Sequence, residues 1–248
     1  MLALWATPRT VSTAFERMMI ERDDHLVLDE PWSRAYYFGP DRRSDRYPLT
    51  FPESTYAAVE SGVLAAGSTS PVFVKDMAYH AAPGITDEAL ASMTHTFLIR
   101  DPLAALSSLH RRWPDFTYDE AGYGAQRDLF DRVVSVTGQV PAVVDSDALV
   151  ADPGRVVAAW CERVGLGHRP DSLGWSSGMR PEWQLWRDWY ENAAASTGFV
   201  APAGRPDLAD PPARVRSLLD ACEPAVAPLR RIALTCPTHP IAIPFCER

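Results

Sequence analysis

Leu2-Ala3-Leu4-Trp5-Ala6-Thr7-Pro8-Arg9-Thr10-Val11-Ser12-Thr13-Ala14 stands at the head of the chain, and its reading decides the fold. Leu2 to Ala6 is a short unbroken apolar run, the pattern of a buried strand. Thr7-Pro8-Arg9-Thr10 interrupts it with polar, turn-forming residues. From Val11 to Arg22 the apolar residues Val11, Phe15, Met18 and Met19 return at helical spacing. The unit is strand, loop, helix.

The same alternation continues outward. His25–Leu28 reads as a second strand ending in Asp29-Glu30-Pro31, and Pro71–Lys75 as a third. His95–Ile99 is a fourth, and Pro141–Val144 a fifth. Helical patterns are predicted over 52–66, 86–93, 102–112, 124–138 and 152–164, with Pro102 and Pro153 near helix starts and Gly165 past an end. Residues 39–52 are rich in Pro, Arg and Asp and read as a loop. Short strands alternating with helices predict an α/β fold with a parallel sheet of about five strands flanked by helices. Strand signals stop after Gly167. Residues 181–199 carry Trp183, Trp186 and Trp189 at core-stripe spacing, which also suits a flat wall for adenine or an apolar acceptor. Residues 211–234 read as helical with proline breaks, and the last dozen residues as a packed or extended tail. One domain over 1–248 is expected: an α/β core in 1–165 and a helical, Trp- and Pro-rich extension in 166–248.

Composition narrows the function classes. The net charge of −8 disfavours non-specific nucleic-acid binding. No run of about 18 apolar residues exists to span a membrane, and Met1–Trp5 lacks the basic flank of a signal peptide. Cys161, Cys222, Cys236 and Cys246 form no C-x-x-C pair and read as reduced thiols of a cytoplasmic protein. Lys75 is the one lysine among 24 basic residues. An ammonium differs from a guanidinium in size, hydration and titration, so Lys75 marks a place where arginine would not serve.

Ligands of open α/β sheets bind at the carboxyl ends of strands. The loop after the first strand offers Arg9, the hydroxyls of Thr10, Ser12 and Thr13, and the free N–H groups of a helix start around Val11. Lacking Gly-Lys-Ser/Thr, it is not a nucleoside-triphosphate loop. Alone, it reads equally as an anion site or as an ordinary capped helix start. The fourth strand decides between them: it ends in Arg100-Asp101-Pro102, and Ser108 follows on the next helix. A second cation–hydroxyl pair at a second strand end implies a ligand with anionic groups at two ends, as 3′-phosphoadenosine-5′-phosphosulfate has.

These motifs together resemble the superfamily of sulfotransferases that use this donor. Thr7-Pro8-Arg9-Thr10-Val11-Ser12-Thr13 resembles the 5′-phosphosulfate loop, without its usual glycine and with Arg9 where many members have lysine. Arg100-Asp101-Pro102 with Ser108 resembles the 3′-phosphate motif. Asp147-Ala148-Leu149-Val150-Ala151-Asp152-Pro153 resembles a strand-to-helix segment of the superfamily. Leu28-Asp29-Glu30-Pro31, Val74-Lys75-Asp76-Met77 and Ser196-Thr197-Gly198-Phe199 look closest to a bacterial and plant group that carries aminotransferase-like names on a P-loop sulfotransferase fold. The Arg-Lys-Gly segment of cytosolic members is missing, and 183–190 stands in its place.

The resemblance implies transfer of a sulfuryl group to a small acceptor, leaving adenosine 3′,5′-bisphosphate. Arg9, Thr10, Val11, Ser12, Thr13, Arg100 and Ser108 would hold the donor. Lys75 is expected to face the cleft and stabilise charge on the bridging or sulfuryl oxygens, or to pair with Asp76 or Asp29. Glu30, Asp76 and His80 compete as the base, with Glu30 favoured by the resemblance and Asp29 a weaker option. The histidines show no metal-ligand spacing, so no metal is expected. Partners reduce to a small-molecule acceptor, with neither nucleic acid nor membrane. Two other readings stay open: a small-molecule kinase on the same scaffold, and a non-catalytic nucleotide-binding module.

Overall fold

Alternate residues of a strand face opposite sides, so an all-apolar strand needs cover on both. Strand β1 (Leu2–Ala6) is buried at every position. In the computed structural model, which describes residues 1–200 and 210–234, it is the centre of a sheet. The other strands are β2 (Leu26–Asp29), β3 (Val72–Met77), β4 (Thr94–Ile99) and β5 (Ala142–Asp145). Their order is β2-β3-β1-β4-β5, and every neighbouring pair is parallel.

The helices are α1 (Ser12–Arg22), α2 (Pro31–Phe38), α3 (Tyr56–Thr69), α4 (Ala78–Ala81), α5 (Asp87–Ala91), α6 (Pro102–Arg112), α7 (Tyr118–Ala121), α8 (Tyr123–Thr137), α9 (Ser146–Ala151), α10 (Pro153–Val164), α11 (Glu191–Ala195) and α12 (Ala213–Ile232). Ala3, Trp5, Val74, Phe97 and Ile99 meet α3, α6, α8 and α12 on one face. Leu2, Leu4, Phe73, Leu98 and Val144 meet Phe15, Met18 and Met19 of α1 and Trp160 of α10 on the other. A third, aromatic cluster joins Tyr36, Tyr37 and Phe38 of α2 to Trp183, Trp186 and Tyr190.

This order positions the site. The chain leaves β1 towards β2, comes back through β3, then crosses to β4 and β5 on the other side. A crevice opens at the carboxyl ends where the direction reverses. Loop 7–11, Glu30, the end of β3 and Arg100 all border it.

The five-stranded parallel sheet agrees with the sequence reading, and three local features differ. Helix α2 was not anticipated; its signal was Pro31 immediately after a strand, occupying the first helical turn. The 181–199 segment is not a continuous helical stripe but two 3-10 turns, Pro181–Trp183 and Arg187–Trp189, followed by α11. Helix α12 runs through Pro224 and Pro228, because Val215, Cys222, Val226 and Leu229 keep one face docked in the core. The expected tail, with Cys236 and Cys246, lies outside the described residues. Among the described residues, no helix is long and apolar enough to cross a membrane.

Ser146 couples sheet to site. Its buried hydroxyl lies 2.6 Å from the Thr10 carbonyl and 2.7 Å from the Ile99 carbonyl, tying the first loop to the end of β4. Ser146→Ala should cost about 1–2 kcal/mol. That corresponds to a Tm lower by about 2–8 °C in a chain of this size. The same variant should bind anions more weakly, measured by titration with adenosine 3′,5′-bisphosphate; unchanged stability and binding would refute the coupling.

Candidate active site

The first loop holds an unusual backbone. Arg9 and Val11 both take left-handed conformations, at φ 68° and φ 55°. For a β-branched residue this is strained, and such strain gathers at functional sites. Val11 occupies the N-cap of α1 without supplying a side-chain acceptor. The Ala14 N–H turns back to the Val11 carbonyl at 3.0 Å, and the Ser12 and Thr13 N–H groups, without a partner among the described residues, remain available to an anion. Thr10 spends its hydroxyl within the loop, on the Thr7 carbonyl at 2.7 Å. Ser12 and Thr13 line the cavity, and their hydroxyls make no hydrogen bond among the described residues.

Arg9 and Arg100 were expected at separate anion sites, but the structure brings them together. The Arg9 side chain turns to Ser108 and donates from Nε to its Oγ at 3.0 Å. Arg100 donates to the Arg9 carbonyl at 2.7 Å, and its buried Nε makes no hydrogen bond among the described residues, with Asp147 Oδ1 at 3.6 Å. Arg111, one turn after Ser108 on α6, lines the same cavity and has no hydrogen bond or ion pair among the described residues. Burial lowers the Arg9 pKa, and the positive fields of Arg100, Arg111 and Arg112 lower it further. A cluster of cations with unsatisfied donors is a site built for a multiply charged anion. The sequence reading missed Arg111, whose signal was its spacing of three from Ser108 on a helix.

On the β2–β3 side the chemistry is reversed. Lys75 is fully buried. Its Nζ reaches Asp29 at 2.6 Å, Glu30 at 2.7 Å, the Tyr190 hydroxyl at 2.7 Å and Glu16 at 3.2 Å. Lys75 does not line the cavity, so the expectation that it faces the cleft and contacts the donor is corrected. It stands behind Glu30. Four buried carboxyl groups, those of Glu16, Asp29, Glu30 and Asp76, share this region with one ammonium, and burial forbids that all of them ionise. Burial, then Glu16, push Asp29 well above the usual carboxylate range against the pull of Lys75. Burial also raises Glu16 against the pull of Lys75. Glu16 Oε2 and Asp29 Oδ2 have no hydrogen-bond partner among the described residues.

Glu30 is the exception. Burial works to raise its pKa, but Lys75, His80 and Tyr190 outweigh burial and hold the carboxylate below its ordinary value. Oε1 accepts from Lys75 and Tyr190, while Oε2 accepts no hydrogen bond among the described residues. Glu30 lines the cavity and is itself held in a left-handed conformation, φ 44°. Asp76 does not line the cavity. Its oxygens accept from the Trp32 and Met77 N–H groups and contact His80 Nδ1 at 2.7 Å, so it cannot meet an acceptor directly. His80 does line the cavity; Asp76 fixes its ring, and its Nε2 has no partner. The ligand atoms of Glu30, Asp76 and His80 lie within 4.8 Å of one another. The contacts Asp76 already makes hold it to the protein rather than leaving it open to an ion.

One cavity of about 520 Å³ joins both halves. Arg9, Arg100, Ser108 and Arg111 border it from the β1–β4 side, and Glu30, Met77, Tyr79 and His80 from the β2–β3 side. Of the tryptophan triplet, Trp186 and Trp189 line it. Trp183 instead packs inside and donates to Glu16 at 2.9 Å.

Residues 1–227 match the family profile described as "Sulfotransferase domain". An Arabidopsis thaliana protein named branched-chain-amino-acid aminotransferase-like protein 2 is 30% identical over 230 residues, 91% of this chain and 40% of its own length. The chain thus spans well under half of that relative. Among solved structures, the sulfotransferase domain of the Synechococcus PCC 7002 olefin synthase aligns over 89% of this chain and 93% of that one, at 14% identity and a TM-score of 0.49. A sulfotransferase from Mycobacterium avium aligns over 95% and 77%, also at 14% identity and 0.49.

Two variants test the buried cluster. Lys75→Met strands carboxylates in the core and should cost about 3–5 kcal/mol of stability by denaturant unfolding; unaltered stability would show that Lys75 is not their counter-ion. Asp29→Asn tests the raised pKa of Asp29. An acid whose folded pKa is raised contributes stability at low pH that is lost as pH rises towards the folded value. Asn carries no ionisable proton, so the Tm of Asp29→Asn should gain on wild type progressively as pH rises above the usual aspartate range. Parallel Tm–pH curves would contradict the raised pKa.

Proposed function

The chain belongs to the sulfotransferase family, and from that premise we propose that it moves the sulfuryl group of 3′-phosphoadenosine-5′-phosphosulfate to a hydroxyl or amine of a small acceptor. The observation that carries this reading is the division of one cavity between a guanidinium cluster and an ionised, half-free carboxylate. The unsatisfied donors at Arg100, Arg111, Ser12 and Thr13 fit a ligand with two anionic groups. When bound, the donor supplies an activated sulfuryl group on a phosphate leaving group.

The protein's own part is binding, orientation and proton removal. The uncapped start of α1, with Ser12 and Thr13, takes the 5′ end. Arg100, Ser108 and Arg111 take the 3′-phosphate, and Arg9, between the two, lends its charge to either. Glu30 Oε2 accepts the acceptor's proton. Lys75 and Tyr190 hold Oε1, which aims Oε2 and keeps it deprotonated. Lys75 is thereby a positioning residue. His80, with Nδ1 3.9 Å from Glu30 Oε2 and steadied by Asp76, stands beside the base. We place the reaction in the cytoplasm, with no metal and with neither nucleic acid nor membrane as partner.

Titration with adenosine 3′,5′-bisphosphate, adenosine 5′-monophosphate and ATP–Mg²⁺ tests the donor site. The bisphosphate should bind tightest; a preference for ATP–Mg²⁺ would turn the reading to a kinase. Arg100→Ala and Arg111→Ala should each weaken the bisphosphate far more than the monophosphate, and equal losses would remove the 3′-phosphate assignment. Glu30→Gln should lower turnover about 10²-fold or more with bisphosphate affinity kept. The wild-type kcat/KM should stay level as pH falls to the ordinary glutamate range, because Glu30 remains ionised there. A fully active Glu30→Gln would move the base to His80.

A further inference from the structure

The two places in the cavity that suit an anion differ in kind. After β4 the groups are charged: Arg100 and Arg111 line the wall beside Ser108. Arg9 adds to them, because its side chain turns away from its own loop and donates to Ser108 at 3.0 Å. At the start of α1 the groups are neutral, the hydroxyls and N–H groups of Ser12 and Thr13. Guanidiniums suit a phosphate monoester, which carries about two charges at neutral pH. Neutral donors at a helix start are enough for a singly charged diester.

No cation stands where the outer end of a 5′ substituent would lie. Lys75, the one lysine of the chain, is buried behind Glu30 and does not line the cavity. Among the described residues, the guanidiniums of the lining are those of Arg9, Arg100 and Arg111, all on the β1–β4 side. Hydroxyl and N–H donors hold the oxygens of an anion and do not distinguish sulfur from phosphorus behind them. The Glu30 carboxylate repels a sulfuryl and a phosphoryl oxygen alike. Selection therefore falls on the 3′-phosphate and not on the outer atom of the 5′ group.

Nor does the cavity end at the 5′ group. Its lining continues to Glu30, Met77, Tyr79 and Trp186, and it includes Ala195, Thr197 and Val200, which are exposed to solvent. A chain attached to an outer phosphate has room to continue and a way out. We propose that the cavity also takes an adenosine 3′-phosphate bearing a 5′-diphosphate ester, the nucleotide half of coenzyme A, as a ligand that competes with the sulfuryl donor. The 3′-phosphate lies on Arg100, Ser108 and Arg111, the diphosphate lies at the start of α1, and the pantetheine arm leaves through the open part of the cavity. This ligand has no sulfuryl group to give. It occupies the site without turnover and makes the transfer sensitive to the level of coenzyme A.

The proposal rests on the assignment of Arg100, Ser108 and Arg111 to a 3′-phosphate, and its test separates the two. Isothermal calorimetry on the full chain would compare coenzyme A, 3′-dephospho-coenzyme A, pantetheine and adenosine 3′,5′-bisphosphate, alone and in competition. We expect coenzyme A to displace the bisphosphate and to bind within about tenfold of it. The dephospho form should bind at least about tenfold more weakly than coenzyme A, as the loss of a charge-assisted contact implies, and pantetheine not measurably. Arg100→Ala and Arg111→Ala should each erase the preference for coenzyme A over its dephospho form, with Tm reporting an intact fold. Coenzyme A that does not displace a bound bisphosphate overturns the proposal, because the cavity then closes past the 5′ group or the two sites differ. Equal binding of coenzyme A and its dephospho form overturns it as well, since the 3′-phosphate then plays no part. If the bisphosphate does not bind, the sulfotransferase reading falls. Coenzyme A that then still binds through its 3′-phosphate upholds the proposal alone, and coenzyme A that does not bind ends both.

Discussion

The contact on which the site depends is that of one buried ammonium with the carboxyl groups around it. Lys75 brings together Glu16 from α1, Asp29 and Glu30 from the end of β2, and Tyr190 from the segment after the core. In a low-dielectric interior an uncompensated charge is costly, so these elements are held where their charges meet. The consequence for chemistry is asymmetric. Burial raises the pKa of Asp29 and Glu16, whereas Lys75 outweighs burial at Glu30, which accepts hydrogen bonds on one oxygen, and lowers its pKa. A lysine that never touches the cavity thereby determines the state of a carboxylate that does.

The opposite side of the crevice works by the reverse principle. There, cations gather with few counter-charges. Arg100 donates to the backbone of Arg9, Arg9 to Ser108, and Arg111 to nothing among the described residues. Such a cluster is electrostatically unfavourable alone and becomes favourable when an anion fills it. The strained backbone at Arg9 and Val11 belongs to the same arrangement, since it leaves the start of α1 uncapped. Here the chain places a β-branched residue, Val11, in a left-handed conformation, and the surrounding packing holds it there.

Between the two lies an aromatic lining whose polar atoms are largely paired with one another. It comes from α2, from the end of β3 with α4, from the end of α6 and from the 3-10 turns of 181–190. No single element could make it. Tyr37 meets Tyr79 where α2 packs on α4, and Trp186 meets Ser33 where the segment after α10 lies against α2.

By itself the sequence determined the sheet. The apolar run of β1, its proline-interrupted loop and the repeats of that unit are local patterns whose periods are read directly. Arg9 and Arg100 could be placed because they follow strand ends, and Ser108 because it lies in the second turn of the helix after β4; strand ends face the crevice. Helix α2 was within reach through Pro31 but lay hidden between two stronger signals. The unique lysine was legible in the sequence, and its surroundings were not. Which way Lys75 points depends on Glu16, Asp29 and Tyr190, which stand 59, 46 and 115 positions from it and meet it only through packing. Tertiary structure alone decided that Glu30 and not Asp76 opens to the cavity, that Arg111 joins the anion site, and that two of three tryptophans line the wall while the third is buried. The physical reason is the same in each case: periodicity tells which face of an element is apolar, whereas the partner of a buried charge or indole is chosen by what the rest of the chain brings against it.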